Sequence, residues 1–557
     1  MNVKYKIHNF LKQQYSSIDF DVSYPPNGFG DYSTNIAFLI SKYRNVDISA
    51  VAEEVVEKLK KEFPREFEKI ELAQSGFVNL YLSKEFLKNN LSDVLKFPDI
   101  GRSKTVIIEY SQPNIAKVMH VGHLRSTLLG DAIVNIYESL GYKVIRWNYL
   151  GDWGTQFGKL IAAYKMWGDE NEVKKNPIKV LNDLYVRFHE ELKNRPDLEG
   201  SGRAEFKKLE EGDKENRNLW EWFKKESLAE FEKIYGILGV KFDTFTGESF
   251  FEKDLKPLIK ELKDKEVAKE SEGAIIVPLD KYGLPPALIQ KSDGASLYLT
   301  RDIAALKYRI KEFKPEKILY VVGNEQSLHF EQLFAVARII GFGDTELSHV
   351  KFGLILGEDR KKFSTREGRV VAMKDLIDKS VELARKTVEE KNPEILDNEK
   401  DDISKAVGIG ALKYFILKEH RNTDIVFDWK RILDLKGDSG PYLQYTYARL
   451  AGIRRKAPPV KLLNFKTLNK EIELLLAKKI IKFPEAVIAA AENNLSNILA
   501  LYLYELCNLA NKFYESAPVL QEEDEKIRNA RLALVDLTSR VLEKGLGILG
   551  MEAPERV

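Results

Sequence analysis

Between Thr105 and Leu150 the chain reads strand, loop, helix, strand, an order that few folds accommodate. The run TVIIEY (Thr105–Tyr110) is β-branched and apolar, as a buried strand requires. After the loop SQPNIAKVMHVGH comes an apolar stripe at Leu124, Leu128, Ala132, Ile136 and Leu140, with Ile133 and Tyr137 beside it. That spacing predicts a helix, which Gly141 stops. YKVIRWNYL (Tyr142–Leu150) predicts a second strand. Two strands joined through a helix lie parallel in one sheet. The unit therefore implies an α/β architecture in which a ligand sits outside the carboxyl ends of the strands, where this loop lies.

At 557 residues the chain exceeds what one core can organise. Residues 1–98 read as a small α/β domain: a helical opening, the turn-rich PPNGFGDYSTN, helical periodicity from Ile36 through Leu59, and the alternating strand GFVNLYLS. Phe97-Pro98-Asp99 through Gly101-Arg102-Ser103 reads as a linker. Residues 99–400 form the α/β domain, interrupted at about 169–270 by a charge-dense helical insertion. Strand-like runs return at GAIIVPL, ASLYLTRD and KILYVVGNE. From about Asp401 strand signals vanish, so 401–557 is expected to be all-α.

Composition closes off several classes. Lys+Arg number 87 against Asp+Glu 85, which excludes a histone-like polycation but not an enzyme with a local basic surface. Residues 441–520 carry 11 Lys+Arg against 6 Asp+Glu, beside Tyr442, Tyr445 and Tyr447. One cysteine, Cys507, excludes a disulfide scaffold and a multi-cysteine metal centre. The opening MNVKYKIHNFLKQQY lacks the apolar stretch of a secretion signal, and no apolar run reaches membrane-spanning length. The expectation is a cytoplasmic protein with no membrane partner.

Chemistry concentrates at His120-Val121-Gly122-His123, where the loop meets the helix. A helix N-terminus offers unpaired N–H groups and a positive dipole end, both favourable to phosphate. Two imidazoles add donors, and Gly122 lets a flat ring approach the backbone. The competing reading is a pair of hydrogen-bonded histidines capping the helix, and the residues alone leave both open. Zinc is disfavoured because no third ligand is near.

EYSQPNIAKVMHVGHLRST resembles the HIGH region of class I aminoacyl-tRNA synthetases, and in detail the arginyl-tRNA synthetase family. NGFGDYSTNIAF and GFVNLYL resemble the family's N-terminal domain. DWGTQFG, LYLTRDIAA, QSLHFEQLF and SGPYLQYTYAR are further matches, and LGMEAPERV resembles its closing motif with Val557 where Met is usual. The resemblance implies a Rossmann-like catalytic domain, an N-terminal domain touching the tRNA elbow, and a helical anticodon-binding domain. Lys361-Lys362-Phe363-Ser364-Thr365-Arg366 resembles the KMSKS loop, with Thr365 replacing the second lysine. In the family a lysine before the HIGH motif supplies that charge, and Lys117 holds the position.

The implied substrates are L-arginine, ATP with Mg²⁺, and tRNA(Arg), with no zinc and a monomeric enzyme. His120, His123, Lys117 and Lys362 are the implied catalytic donors, joined at ATP by Gly122, Ser364 and His329. Glu109, Asn114, Tyr298, Asp302 and Gln326 map onto the family's arginine-binding positions. A planar five-donor guanidinium is matched by carboxylates in a way the point charge of lysine is not. Asp302 could instead pair with Arg301 or Arg309. Tyr442, Gln444, Tyr447 and Arg449 are the tRNA-contact candidates, by aromatic and guanidinium stacking on splayed bases. A cysteinyl-type synthetase would need zinc-binding cysteines. The large editing domains of the isoleucyl, valyl and leucyl types do not fit the insertion.

Overall fold

The computed structural model describes residues 2–26, 28–73, 76–292, 294, 297–361, 363, 371–391, 393–457 and 464–557. The chain forms two compact units. One comprises Ile100–Ala384 and Phe415–Ile432; the other comprises Met1–Asp99, Arg385–Tyr414 and Leu433–Val557.

The first of these is built on a four-stranded parallel sheet: β1 (Thr105–Glu109), β2 (Lys143–Trp147), β3 (Lys317–Tyr320) and β4 (Glu346–His349), in the order β4-β3-β1-β2. The chain leaves β1 toward β2 on one side, while β3 joins it on the other. The crevice at the carboxyl end of β1 is therefore the topological switch point. Helix α1 (Val121–Ser139) makes the crossover between β1 and β2. It begins three residues before the apolar stripe because His120 caps it.

After β2 comes α2 (Thr155–Trp167), and the insertion then contributes α3 (Pro177–Glu191) and α4 (Lys214–Leu238). A three-stranded antiparallel sheet follows, made by Lys269–Ser271, Ala274–Val277 and Ala287–Gln290. The expected strand at LYLTRD is instead the first turn of α5 (Tyr298–Phe313). Its buried Leu299, Ile303 and Leu306 recur at helical spacing, and the longer pattern overrides the local β-branched and aromatic content. Helix α6 (Ser327–Ile339) follows β3. A two-residue parallel pair, Ile355–Leu356 with Ile425–Val426, places a strand beyond Asp401, where none was expected. Two residues are too few to leave a periodic signal.

In the other unit, residues 1–98 carry a four-stranded antiparallel sheet ordered Val22–Ser23, Tyr32–Thr34, Val78–Leu82, Phe67–Leu72. The helical stretch from Ile36 is broken at Asn45, which is left-handed, and Asp47 caps the helix Ile48–Glu62. The same unit contains α7 (Gly440–Lys456), α8 (Ser496–Ser516) and α9 (Glu525–Ile548). Its two ends of chain are joined by Glu485, which accepts the Lys4 amide at 2.9 Å and the Tyr24 and Tyr32 hydroxyls at 2.7 and 3.1 Å. Among the described residues no helix is long and apolar enough to cross a membrane.

Candidate active site

The loop after β1 is held in a fixed, uncomfortable path. Ser111, Gln112 and Ala116 are all left-handed, with φ of 73°, 53° and 59°. Each such residue opposes the steric preference of an L-amino acid. The compensation comes from pairing: Ile115 donates to the Gly151 carbonyl and Gly151 to that of Pro113, both at 3.2 Å. A Cβ on Gly151 would lie 2.1 Å from the Asn114 amide oxygen, so only glycine permits this seating of Asn114.

At the end of the loop the two histidines form a reciprocal cap. The Gly122 N–H donates to His120 Nδ1 and the His120 N–H to His123 Nδ1, each at 3.1 Å. The rings lie 3.9 Å apart at their centroids, and the His120 ring lies over the Gly122 Cα, where a Cβ would crowd it. Burial, with His120 adding, pushes the His123 imidazole down to about 3, so it is neutral. Nδ1 of each ring accepts, so a neutral ring carries its proton on Nε2. The cap therefore manufactures neutral N–H donors beside a helix N-terminus. The two competing readings of this motif are compatible, because capping is what orients the donors.

Lys117 is half-buried, with Nζ donating to Gln156 Oε1 at 3.2 Å. Lys362 and Ser364 lie outside the described residues. Between them the Phe363 ring stacks on Phe427 at 4.8 Å. Further along, Val121 donates to the Val371 carbonyl and Met373 to that of Met119, at 3.2 and 2.8 Å, so residues 371–373 lie directly on the histidine segment. Arg125 of α1, almost fully buried, fixes this arrangement by donating to the carbonyls of Gly353, Leu354, Arg421 and Thr423.

Acidic groups gather at the carboxyl ends of the strands. Glu109 ends β1 and is 5% exposed. Its carboxylate pairs with Arg309 of α5 and accepts from Gln112 Nε2 at 2.7 Å. Arg309 lies over the rings of Trp147, Tyr149 and Tyr320, 4.4–5.7 Å from their centroids. Glu109, expected as a direct ligand of arginine, is here paired with the protein's own guanidinium. Tyr298 opens α5 and is exposed, and Asp302 follows one turn later. Asp302 is held by neither Arg301 nor Arg309; His329 Nε2 lies 2.5 Å from its Oδ2. His329, expected at the nucleotide, is thus tied to the acid of α5. Against the lowering effect of burial, Asp302 holds that imidazole above the usual histidine value. Gln326 is exposed in the turn before α6.

Sequence reasoning missed Glu248. It is 8% exposed, and its Oε2 is buried without a hydrogen-bond partner. Burial pushes its carboxyl up to about 8; Asp302, Asp152 and Glu252 add to the shift and Arg301 opposes it. Asp302 and Glu248 both act on the Tyr149 hydroxyl, itself buried without a partner. The flanking FTGESF carries no motif that could have flagged this position. A Gly247-Glu248 turn leading into a short helix is too common to be informative.

On the helical unit the tRNA candidates divide by helix face. Gln444 is fully buried, its amide donating to the Ala406 and Glu552 carbonyls at 2.9 Å, and Tyr447 is buried in the core. Both are corrected to packing residues. Tyr442 and Arg449 stay on the accessible face, joined by the exposed Tyr445 and by Tyr514 of α8. The Arg449 guanidinium lies 5.0 Å from the Tyr445 ring and 5.3 Å from that of Tyr514. The 3.6-residue period separates these two faces, and applying it to 442–449 would have found Tyr445.

Comparison with known proteins agrees along the whole chain. The family model for the catalytic domain of class I (R) tRNA synthetases matches residues 86–429. The DALR anticodon binding domain matches 443–557, and the arginyl tRNA synthetase N terminal domain matches 1–82. Arginine–tRNA ligase 1 of a Bacillus cereus strain is 44% identical, covering 95% of this chain and 94% of its own. The arginine–tRNA ligase of Clostridium perfringens is 42% identical, over 99% and 98%. The crystal structure of arginyl-tRNA synthetase from Plasmodium falciparum superposes with a TM-score of 0.86 at 29% identity, over 100% of this chain and 98% of that one. With a parallel sheet open at its switch point, a histidine-capped helix facing it, and these relatives end to end, the chain belongs to the arginyl-tRNA synthetase family.

Proposed function

We propose that this arginine–tRNA ligase joins the arginine carboxylate to the α-phosphate of Mg-ATP, expelling pyrophosphate, and passes the arginyl group to the 3′-terminal ribose of its tRNA. No protein nucleophile is needed; alignment and donors aimed at the phosphoryl oxygens supply the catalysis. Nε2–H of His120 and His123 serve those oxygens, with Gly122 allowing close approach of the nucleotide. Lys117, Lys362 and Ser364 hold the triphosphate. Asn114 receives the α-amino or carboxylate end of arginine. Asp302 and Glu248 accept the guanidinium, with Tyr298 and Gln326 at its margin, while the Glu109–Arg309 pair shapes the floor.

The observation that carries the specificity is the unpartnered, buried carboxylate oxygen of Glu248 beside Asp302. A buried acid with an oxygen left unpartnered, and with Asp302, Asp152 and Glu252 acting against its ionisation, is favoured as an anion once a cationic ligand arrives. The three functional parts are 1–98 at the tRNA elbow, 99–400 for catalysis and 401–557 for the anticodon. Tyr442, Tyr445, Arg449 and Tyr514 offer the stacking faces. The enzyme acts as a monomer in the cytoplasm.

Pyrophosphate exchange with ATP, Mg²⁺ and arginine, run with and without total tRNA, tests the reading. Exchange that depends on arginine supports it, and dependence on tRNA as well means that tRNA completes the site. No exchange from folded, tRNA-binding protein would overturn it. Replacing His120 or His123 by Asn lowers the exchange rate about 10²–10³-fold while sparing tRNA binding.

A further inference from the structure

Helix α2 and two helices of the insertion converge on the segment that carries Lys117. Ser227 of α4, fully buried, accepts the Ala116 amide at 2.9 Å, fixing the left-handed residue just before the lysine. Gln156, at the start of α2, accepts the lysine amine. From α3, Tyr185 lays its ring 5.2 Å from the same nitrogen. Gln156 and Tyr185, together with Ile115, Phe157 and Leu160, line a small cleft around the lysine.

The partners share one property: none of them is an anion. Burial pushes the Lys117 amine below the usual lysine value, and no carboxylate contributes to that shift. The neighbouring lysines of α2 and α4 are treated differently. Lys159 pairs with Glu199, Lys165 with Glu205 and Glu215, and Lys224 with Asp152. In a surface this rich in carboxylates, a lysine met, among the described residues, only by an amide oxygen and a ring face is a selective arrangement. An amide oxygen and an aromatic face orient a cation without neutralising it. A carboxylate in the same place would have to be displaced by the triphosphate. Ordering a free lysine chain is itself unfavourable, so holding the amine beforehand leaves less to be ordered when the nucleotide arrives.

We propose that Gln156 and Tyr185 form a charge-neutral cradle that keeps the Lys117 amine aimed and free of a carboxylate for the triphosphate, which makes α2 and the helical insertion positioning elements of arginine activation. The proposal rests on the reading of Lys117 as a triphosphate ligand. Gln156 and Tyr185 act through that amine and are positioning residues.

The test is steady-state pyrophosphate exchange by the full-length enzyme with tRNA, with KM for ATP and KM for arginine measured separately. Gln156→Glu, nearly isosteric, puts a competing anion on the lysine. It raises KM for ATP and lowers the exchange rate by roughly tenfold or more, leaving KM for arginine unchanged. Tyr185→Leu impairs the same parameters by about threefold, and Tyr185→Phe, which keeps the ring face, recovers most of that loss. In a Lys117→Met background, Gln156→Glu has no further effect. If Lys117→Met cripples exchange while Gln156→Glu leaves KM for ATP and the rate within about twofold of wild type, the cradle is wrong and the lysine assignment stands. If Lys117→Met itself exchanges normally, the lysine assignment falls and the cradle with it. Binding of tRNA reports folding of each variant; should Gln156→Glu fail that check, Gln156→Leu replaces it, with a smaller ATP-specific loss expected and an unchanged KM for ATP counting against the cradle.

Discussion

Glu109 and Glu248 are two buried acids of one unit, and they are solved in opposite ways. Glu109 has a guanidinium, an amide donor and a box of three rings around its partner. Glu248 is nearly as inaccessible, yet one of its oxygens has no hydrogen bond and its carboxyl is pushed up to about 8. Both carboxylate oxygens of the first are engaged, and one oxygen of the second is not. A buried carboxylate oxygen without a partner, on a carboxyl whose ionisation is pushed far from its usual range, marks a place where a ligand can complete the bonding, so the contrast separates the two acids where burial alone does not.

The largest effect should come from spoiling the completed pair. Glu109→Gln strands the buried Arg309 charge and lowers stability by about 3–5 kcal/mol, read as a fall in the thermal midpoint. Glu248→Gln should behave in the reverse sense. Stability is unchanged or improved, while KM for arginine rises roughly ten- to hundredfold, corresponding to about 1.5–3 kcal/mol for a charge-assisted hydrogen bond. If Glu248→Gln destabilised the protein and spared KM, the contrast would collapse.

A pH series sharpens it. The folded Glu248 carboxyl sits near 8, well above the usual range that it regains on unfolding. Its contribution to stability is therefore greatest below the unfolded value and is lost as pH rises through about 8. Arginine binding favours the ionised form, so KM for arginine falls over the same rise and a proton is released on binding at neutral pH. Glu248→Gln should flatten that dependence; an unaltered profile would assign the titration to another group. The smallest effect belongs to His329→Asn. It removes one hydrogen bond from Asp302, worth about 0.5–1.5 kcal/mol, and shifts KM for arginine severalfold without altering KM for ATP.

Legibility in the sequence followed the distance over which each feature is encoded. The β1–α1–β2 unit was readable because strand, stripe and stop lie within one continuous stretch, and the histidine pair declared itself by type and spacing. Arg309 and Glu248 lie far along the chain from Glu109, and nothing in their flanks announces a meeting at one strand end. The LYLTRD run misled because its first residues suit a strand, and only the continuation to Phe313 reveals the helical period. Gln444 and Tyr447 were drawn in by composition, which cannot tell one face of a helix from the other. Lys362 and Ser364 rest on resemblance alone.

The three left-handed residues Ser111, Gln112 and Ala116 carry a lesson for engineering. A designer ranking positions by backbone comfort would choose glycine at each, expecting a stability gain on the order of 1 kcal/mol per site from relieved sterics. The same exchange would free the loop that aims Asn114, Lys117 and His120. Thermostabilisation by local idealisation would here yield a sturdier protein and a slower enzyme, so these positions are ones to leave untouched.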